Sequence, residues 1–133
     1  MKRRAFGLLI MGFISISVFA QSQHDLNNEA DEQYQASQKM LDNTYAQILH
    51  DFKVDTIFIA NLKNAQTLWI KFRDSEMHAK YPNRENGYYG SVQTMCWSLY
   101  KAALTSDRIK NLKKWIEGTV EGDVCSGTVP FKK

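Results

Sequence analysis

Residues 62–76 read Leu62-Lys63-Asn64-Ala65-Gln66-Thr67-Leu68-Trp69-Ile70-Lys71-Phe72-Arg73-Asp74-Ser75-Glu76, and this run decides the fold class. It contains neither proline nor glycine. Leu62, Ala65, Trp69 and Phe72 recur every three or four residues, with Ile59 one turn earlier and Ile70 widening the stripe. That is the spacing of an amphipathic helix, not of a strand. Asp55 has the side chain of an N-cap, and Pro82 pushes the residue before it out of the helical region. The spacing therefore predicts a helix over 56–79 with Ile59, Leu62, Ala65, Trp69 and Phe72 facing inward. Trp69 and Arg73 are one turn apart, so the guanidinium can lie on the indole or reach a carboxylate on a neighbouring helix. Asp74 and Glu76 offer it local partners. We read this as the core helix of a bundle, with Arg73 tying helices together; direct contact of Arg73 with a partner protein is the alternative.

Upstream, Asp25 to Phe52 carries Leu41, Tyr45, Ile48, Leu49 and Phe52 at helical spacing, extended back by Tyr34 and Ala30. One long helix follows, with His24–Asn28 free to fray. Downstream, Lys80–Ser91 (KYPNRENGYYGS) is a loop by its proline, asparagines and glycines, and it is long for a helix–helix connection. It holds Tyr81, Tyr88 and Tyr89. Ser91 is placed to cap a third helix with Val92, Met95, Cys96, Leu99 and Ala103 on its inner face. Thr105 either caps a fourth helix or sits inside a continuous one. Ile109, Leu112 and Ile116 carry the stripe onward, bordered by Trp115. Lys110, Lys113 and Lys114 suit the negative end of the helix dipole, and Gly118 stops the helix. Thr119–Lys133 reads as a tail. The expected architecture is all-α: a small three- to four-helix bundle.

The first twenty residues belong to something else. Lys2, Arg3 and Arg4 precede an uncharged run from Ala5 to Ala20, which ends in Val18-Phe19-Ala20. A basic start, an apolar run of about 16 residues and small residues at its last and third-last positions make a secretory signal peptide, cleaved after Ala20. The run is short for a membrane span of about 20 residues, and no cysteine near the cut offers a lipid attachment point. The expected mature protein is a single domain over 21–133 with no membrane anchor, in the periplasm or beyond. An exported chain with two cysteines, Cys96 and Cys125, is expected to oxidise them. Such a bridge would pin the tail and contribute about 3–4 kcal/mol in the chain-entropy model. Two free thiols are the alternative.

The whole chain has 133 residues and a formal net charge of +3, from 17 basic and 14 acidic residues. Lys2, Arg3 and Arg4 account for that excess, so the expected mature domain is balanced and lacks the basic surplus of a nucleic-acid binder. With 44% hydrophobic and 23% charged residues it has the composition of a soluble globular domain. The charge is polarised. Gln21–Leu62 has seven acidic residues against two basic, and the remainder seven against twelve. Either the halves complement each other in the fold, or the first helix offers an acidic face to a basic partner. His24, His50 and His78 stand at no metal-ligand spacing. No phosphate-binding glycine loop and no nucleophile elbow is present, and no carboxylate pair is singled out by spacing. The sequence therefore argues against an enzyme and implies no cofactor or metal.

The pattern A-Q-x-x-W-I-x-F-R-D-x-E from Ala65 to Glu76 resembles the signature of the LprI-like lysozyme-inhibitor family. Gly90-Ser91, followed by Leu104-Thr105-Ser106-Asp107-Arg108-Ile109-Lys110-Asn111-Leu112, is similar to that family's glycine–serine loop and its helix with L-T-x-x-R-I-x-x-L. The resemblance spans about residues 30–116. It implies a structural role for Trp69, Phe72, Arg73, Asp74 and Arg108. The family often has cysteines where this chain has Met77 and Tyr100. Both are absent together, so Cys96–Cys125 would be a relocated bridge.

The resemblance also implies a lysozyme or another peptidoglycan-cleaving enzyme as protein partner, inhibited by occlusion of its open cleft. The candidate plug is the 81–91 loop, with Tyr81, Tyr88, Tyr89 and Arg84 as the expected partner-binding residues: Tyr88 and Tyr89 are the anchors and Arg84 the partner of a cleft carboxylate. The alternative is that these tyrosines fill the loop's own core. Two other functions fit the same compartment and size: a periplasmic immunity protein against a cell-wall-degrading toxin, and an envelope-homeostasis protein with no inhibitory activity.

Overall fold

A computed structural model describes residues 14–132, with side chains from Ser22 onward. The basic start and first half of the apolar run lie outside these residues. Three helices follow: α1 (Ile14–Asp51), α2 (Thr56–Lys80) and α3 (Gln93–Glu117). The expected cleavage point after Ala20 falls within the backbone of α1. No helix among the described residues is long and apolar enough to cross a membrane. His24–Asn28 is helical, with Gln23 donating to Asn27 at 3.0 Å and Asn28 paired with His24 at 3.2 Å, both one turn apart.

The boundaries have local causes. Asp55 caps α2, its carboxylate accepting the Phe58 N–H at 2.9 Å. At the other end the Tyr81 N–H closes on the Met77 carbonyl before Pro82. The first residue of α3 follows Val92 and no side chain caps it, so Ser91 does not have the expected role. α3 runs through Thr105 without a break. Thr105 is fully buried, and its hydroxyl bonds back to the Lys101 carbonyl at 2.8 Å, so no fourth helix begins there. Gly118 ends α3 at φ 74°.

α1 pairs with α3 along most of its length, and α2 leans on that pair through a smaller contact. The core holds Leu41, Ile48, Phe58, Leu62, Ile109 and Leu112, with Tyr45, Leu49, Phe52, Ile59, Trp69 and Trp115 packed around it. Phe58 sits between Phe52 (5.0 Å) and Trp115 (5.8 Å), joining the α1–α2 corner to the far end of α3. Between α1 and α3 several buried residues are small, Ala30 and Thr44 on α1 and Ser98, Ala102 and Thr105 on α3, while Met77 of α2 is the large buried side chain near the loop end. Small side chains let two helix backbones approach closely, and Thr44 satisfies its own hydroxyl on the Met40 carbonyl at 2.8 Å.

Two inner faces differ from the expected ones by about one residue. On α2 the buried positions are Phe58, Leu62, Gln66, Arg73 and Met77. Ala65 is exposed and Phe72 is 54% exposed. On α3 they are Ser98, Ala102, Thr105, Ile109 and Leu112, while Val92, Leu99 and Ala103 face water. The buried stripe keeps a three-or-four step in α3, and in α2 once the half-buried Trp69 between Gln66 and Arg73 is counted, and in both it passes through polar or small residues. Apolar side chains beside it drew the expected face sideways.

The tail does not cross to the start of α3, and no disulfide pins it: Cys96 and Cys125 are both free thiols. The tail folds back on the helix end that it leaves. Thr119 N–H donates to the Pro130 carbonyl and Lys132 N–H to the Thr119 carbonyl, both at 2.8 Å, and the Trp115 indole donates to the Thr128 hydroxyl at 3.0 Å. Gly118 permits this crossing. A Cβ there would stand 2.9 Å from the Lys132 nitrogen and the Pro130 oxygen. Cys96 lies 19 residues before Trp115 on the same helix, about 28 Å along its axis, whereas a disulfide needs Cα atoms about 4.4–6.8 Å apart.

Thiol titration of the unfolded native protein should accordingly give two free thiols per chain, and none would mean the tail docks elsewhere. In urea melts, Leu41→Ala should cost about 2–5 kcal/mol, whereas Phe72→Ala should stay within about 0.5 kcal/mol. A large loss at Phe72 would restore the face expected from the apolar pattern.

Candidate functional site

Two clusters use the residues singled out in the sequence. The first is a polar layer across the middle of the bundle. Arg73 is 7% exposed, and a buried guanidinium must have its donors bonded. It donates to the Gln38 side-chain oxygen on α1 at 2.9 Å and to Asp74 at 3.3 Å. Gln38 in turn donates to Asp42 at 2.9 Å. On the other side, Arg108 of α3 donates to the buried Gln66 of α2 at 2.9 Å. Trp69 lies between the two cations, with Arg73 5.1 Å and Arg108 5.9 Å from its ring centroids. No buried side-chain polar atom among the described residues lacks a partner.

Burial lowers the pKa of Arg108, with the nearby Tyr45 hydroxyl acting the other way. Tyr45 mirrors it: burial raises the phenol's pKa and the Arg108 charge pulls it back. The layer is a helix clamp. Its cations are spent on neutral amides, an indole and the partly exposed Asp74, and Phe72 takes no part in it. Gln38 carries no signal in the sequence, whereas Gln66 stands one turn after Leu62 and is the second residue of the pattern that begins at Ala65.

The second cluster closes the opposite end from the tail. The α2–α3 loop makes consecutive turns, with Tyr88 N–H on the Glu85 carbonyl (3.2 Å) and Gly90 N–H on the Gly87 carbonyl (3.0 Å). Gly87 supplies the positive φ of 84° that the first turn needs. Tyr89 is half-buried, and its hydroxyl donates to the Pro82 carbonyl at 2.8 Å, fastening the loop across its neck. Its ring meets Tyr81 edge-on at 5.6 Å. Tyr81 in turn packs on Trp97 (5.7 Å) and Tyr100 (6.4 Å) of α3, and His78 caps Trp97 at 5.9 Å. The Lys80 ammonium lies 3.7 Å over the Tyr100 ring.

Tyr88 stands at the tip, 58% exposed. Tyr89 supports it edge-on at 4.9 Å, and Arg84 reaches over its ring at 5.6 Å. Of the four loop residues named from the sequence, Tyr81 and Tyr89 thus face the bundle, and Tyr88 and Arg84 face solvent. Trp97, Tyr100 and His78 complete the stack; the signal for Trp97 and Tyr100 is their place early in α3, directly after an aromatic loop, and His78 stands in the last turn of α2. Burial raises the pKa of Tyr81, and the neighbouring Cys96, Tyr100 and Tyr89 groups raise it further.

Elsewhere, an open depression of about 260 Å³ between α1 and α3 is lined by Met40, Ser106, Ile109, Lys110, Lys113 and Glu117. It holds one carboxylate, not the pair used in glycosidic cleavage. No cluster of His, Cys, Asp and Glu suited to a metal ion occurs among the described residues.

Residues 17–112, well over half of the chain, match the family model described as Lysozyme inhibitor LprI. The match covers the polar layer, the aromatic loop and α3 as far as Leu112, and leaves out the tail. No curated protein and no solved structure matches the chain.

The tyrosine environments have a spectroscopic consequence. A free phenol titrates near pH 10. Tyr45 and Tyr81 are raised in the folded protein, so removing each in turn (Tyr45→Phe, Tyr81→Phe) should take away tyrosinate absorbance that develops above the free-phenol range. The neutral phenol is the form that the fold favours. The associated stability is complete below about pH 10 and is lost as pH rises through the raised values. Loss of absorbance at or below about pH 10 in both variants would refute the packing of both rings.

Proposed function

The chain belongs to the LprI family of lysozyme inhibitors, and on that premise we propose that it is exported and inhibits a lysozyme-type muramidase by placing the α2–α3 loop in the enzyme's cleft. The observation that carries this reading is Tyr88 with Arg84 at the tip of a loop fastened from below by Tyr89, Tyr81 and Trp97. A muramidase cleft is open, lined for sugar rings and furnished with two carboxylates. An exposed tyrosine matches a sugar-binding surface, and a guanidinium matches a carboxylate bidentately. Tyr and Arg are the residues that most often dominate interface energetics. A loop already fastened loses little conformational freedom on binding, which favours affinity.

Export supports the same reading. The signal peptide over residues 1–20, cut after Ala20, would deliver the domain to the periplasm or beyond, where peptidoglycan is cleaved. The acidic surplus of the first half lies on α1, so a basic lysozyme would be drawn to the molecule before the loop engages. Occlusion needs no cofactor.

Cell-wall lysis by a panel of basic and acidic lysozymes should slow in a dose-dependent way for at least one type. Tyr88→Ala and Arg84→Ala should each weaken inhibition about 30-fold, the effect of about 2 kcal/mol at an interface hot spot. Neither should shift the melting temperature. Full inhibition by the double variant would remove the loop from the mechanism. Failure against the whole panel would overturn the muramidase reading in favour of an immunity or envelope-homeostasis role.

A further inference from the structure

α2 has a second ordered face. Asn61, Ala65, Leu68, Phe72, Ser75 and Ala79 follow one another at steps of 4, 3, 4, 3 and 4 residues, and all six are uncharged and exposed. Leu68 is 56% and Phe72 54% exposed. Alternating 3–4 spacing is the seam of a two-helix coiled coil. It lies about 110° around α2 from the stripe that meets the bundle core, by 100° per residue. The helix is therefore amphipathic twice over. It is also the helix that leans least on its neighbours, so its outer face is free to meet another helix along about 27 Å of axis.

We propose that this seam pairs two copies of the chain, α2 against α2, parallel and in register. Charge decides both the occupant and the direction. Lys71 immediately precedes Phe72 on one flank of the seam, and Glu76 immediately follows Ser75 on the other. They are five residues apart, the separation at which opposite flanks of two parallel helices meet across a coiled coil. A parallel pair thus brings Lys71 of each copy to Glu76 of the other, twice by symmetry. An antiparallel pair that opposes Leu68 to Phe72 would instead bring the two Lys71 flanks together. Among the described residues Lys71 takes no part in an ion pair. Glu76 has only the long 3.5 Å contact from the Tyr100 hydroxyl. In register, Leu68 meets Leu68 and Phe72 meets Phe72, flanked by small Ala65 and Ser75, which allow close approach of the backbones. The aromatic loops of both copies then lie at the same end of the pair.

Sedimentation equilibrium of the purified protein, from low micromolar to near millimolar concentration, should show the mass rising from one chain to two. Phe72→Glu should remain a single chain throughout, with unchanged helical circular dichroism and melting temperature because the ring is outside the core. Lys71→Glu should weaken pairing about tenfold, the combined effect of two reversed surface pairs, and Lys71→Glu/Glu76→Lys should restore it. A single chain at every concentration overturns the proposal. So does a dimer indifferent to Phe72→Glu, or a charge reversal that the double variant does not rescue. If the protein stays single while Phe72→Glu abolishes binding to a muramidase, the face belongs to the target and not to a second copy.

Discussion

The structure depends on the indole of Trp69 held between two guanidiniums. α1 and α3 pair along most of their length, whereas α2 meets them through a smaller contact, with Phe58 and Leu62 in the core at one end. What fixes α2 at mid-height is a chain of contacts from Gln38 through Arg73, Trp69 and Arg108 to Gln66, which touches all three helices. Hydrogen bonds have directions and apolar contacts do not, so this layer sets the rotation and height of α2 where hydrophobic packing would tolerate several. The layer also explains why the buried stripe of α2 passes through Gln66 and Arg73. Leaving either cation without a partner in that position would cost far more than the burial of a methyl group offsets.

That rotation has two results. At the loop end it aims the C-terminus of α2 so that Tyr81 reaches Trp97 and Tyr100, and the loop is built on aromatic packing. On the outer side it leaves Leu68 and Phe72 in water. The loop and the seam are thus consequences of one polar arrangement. Trp69, Arg73 and Arg108 act by orienting surfaces that other residues form.

Much of the fold was legible because backbone-level signals are local. Asp55 as a cap, Pro82 as a terminator and Gly118 as a stop each act within a few residues of themselves, and each stands where expected. The three helices and the role of Arg73 as a tie between them follow from the same kind of reading. Which face is inward was less legible. Hydrophobic side chains lie on both sides of α2, and the true core stripe of α3 is carried by Ser98, Ala102 and Thr105, residues that a hydrophobicity pattern ignores. The cysteine pairing failed for a different reason: a count of two says nothing of distance, and Cys96 sits near the start of α3 while Cys125 belongs to the tail folded back on its end. In the loop Tyr81 and Tyr89 pack inward, as the reading of tyrosines filling the loop's own core expects, while Tyr88 faces solvent.

The tail returns to its own point of departure. Two backbone bonds tie its end to Thr119, beside Gly118, and the Trp115 indole holds Thr128. Mechanically this is a closed ring hung from the last turn of α3. Pull on the C-terminus, and the load is carried by a pair of hydrogen bonds around Gly118 before any of it reaches the three-helix core. The ring and the bundle thus meet at the last turns of α3, where Trp115 both packs against the core and holds Thr128.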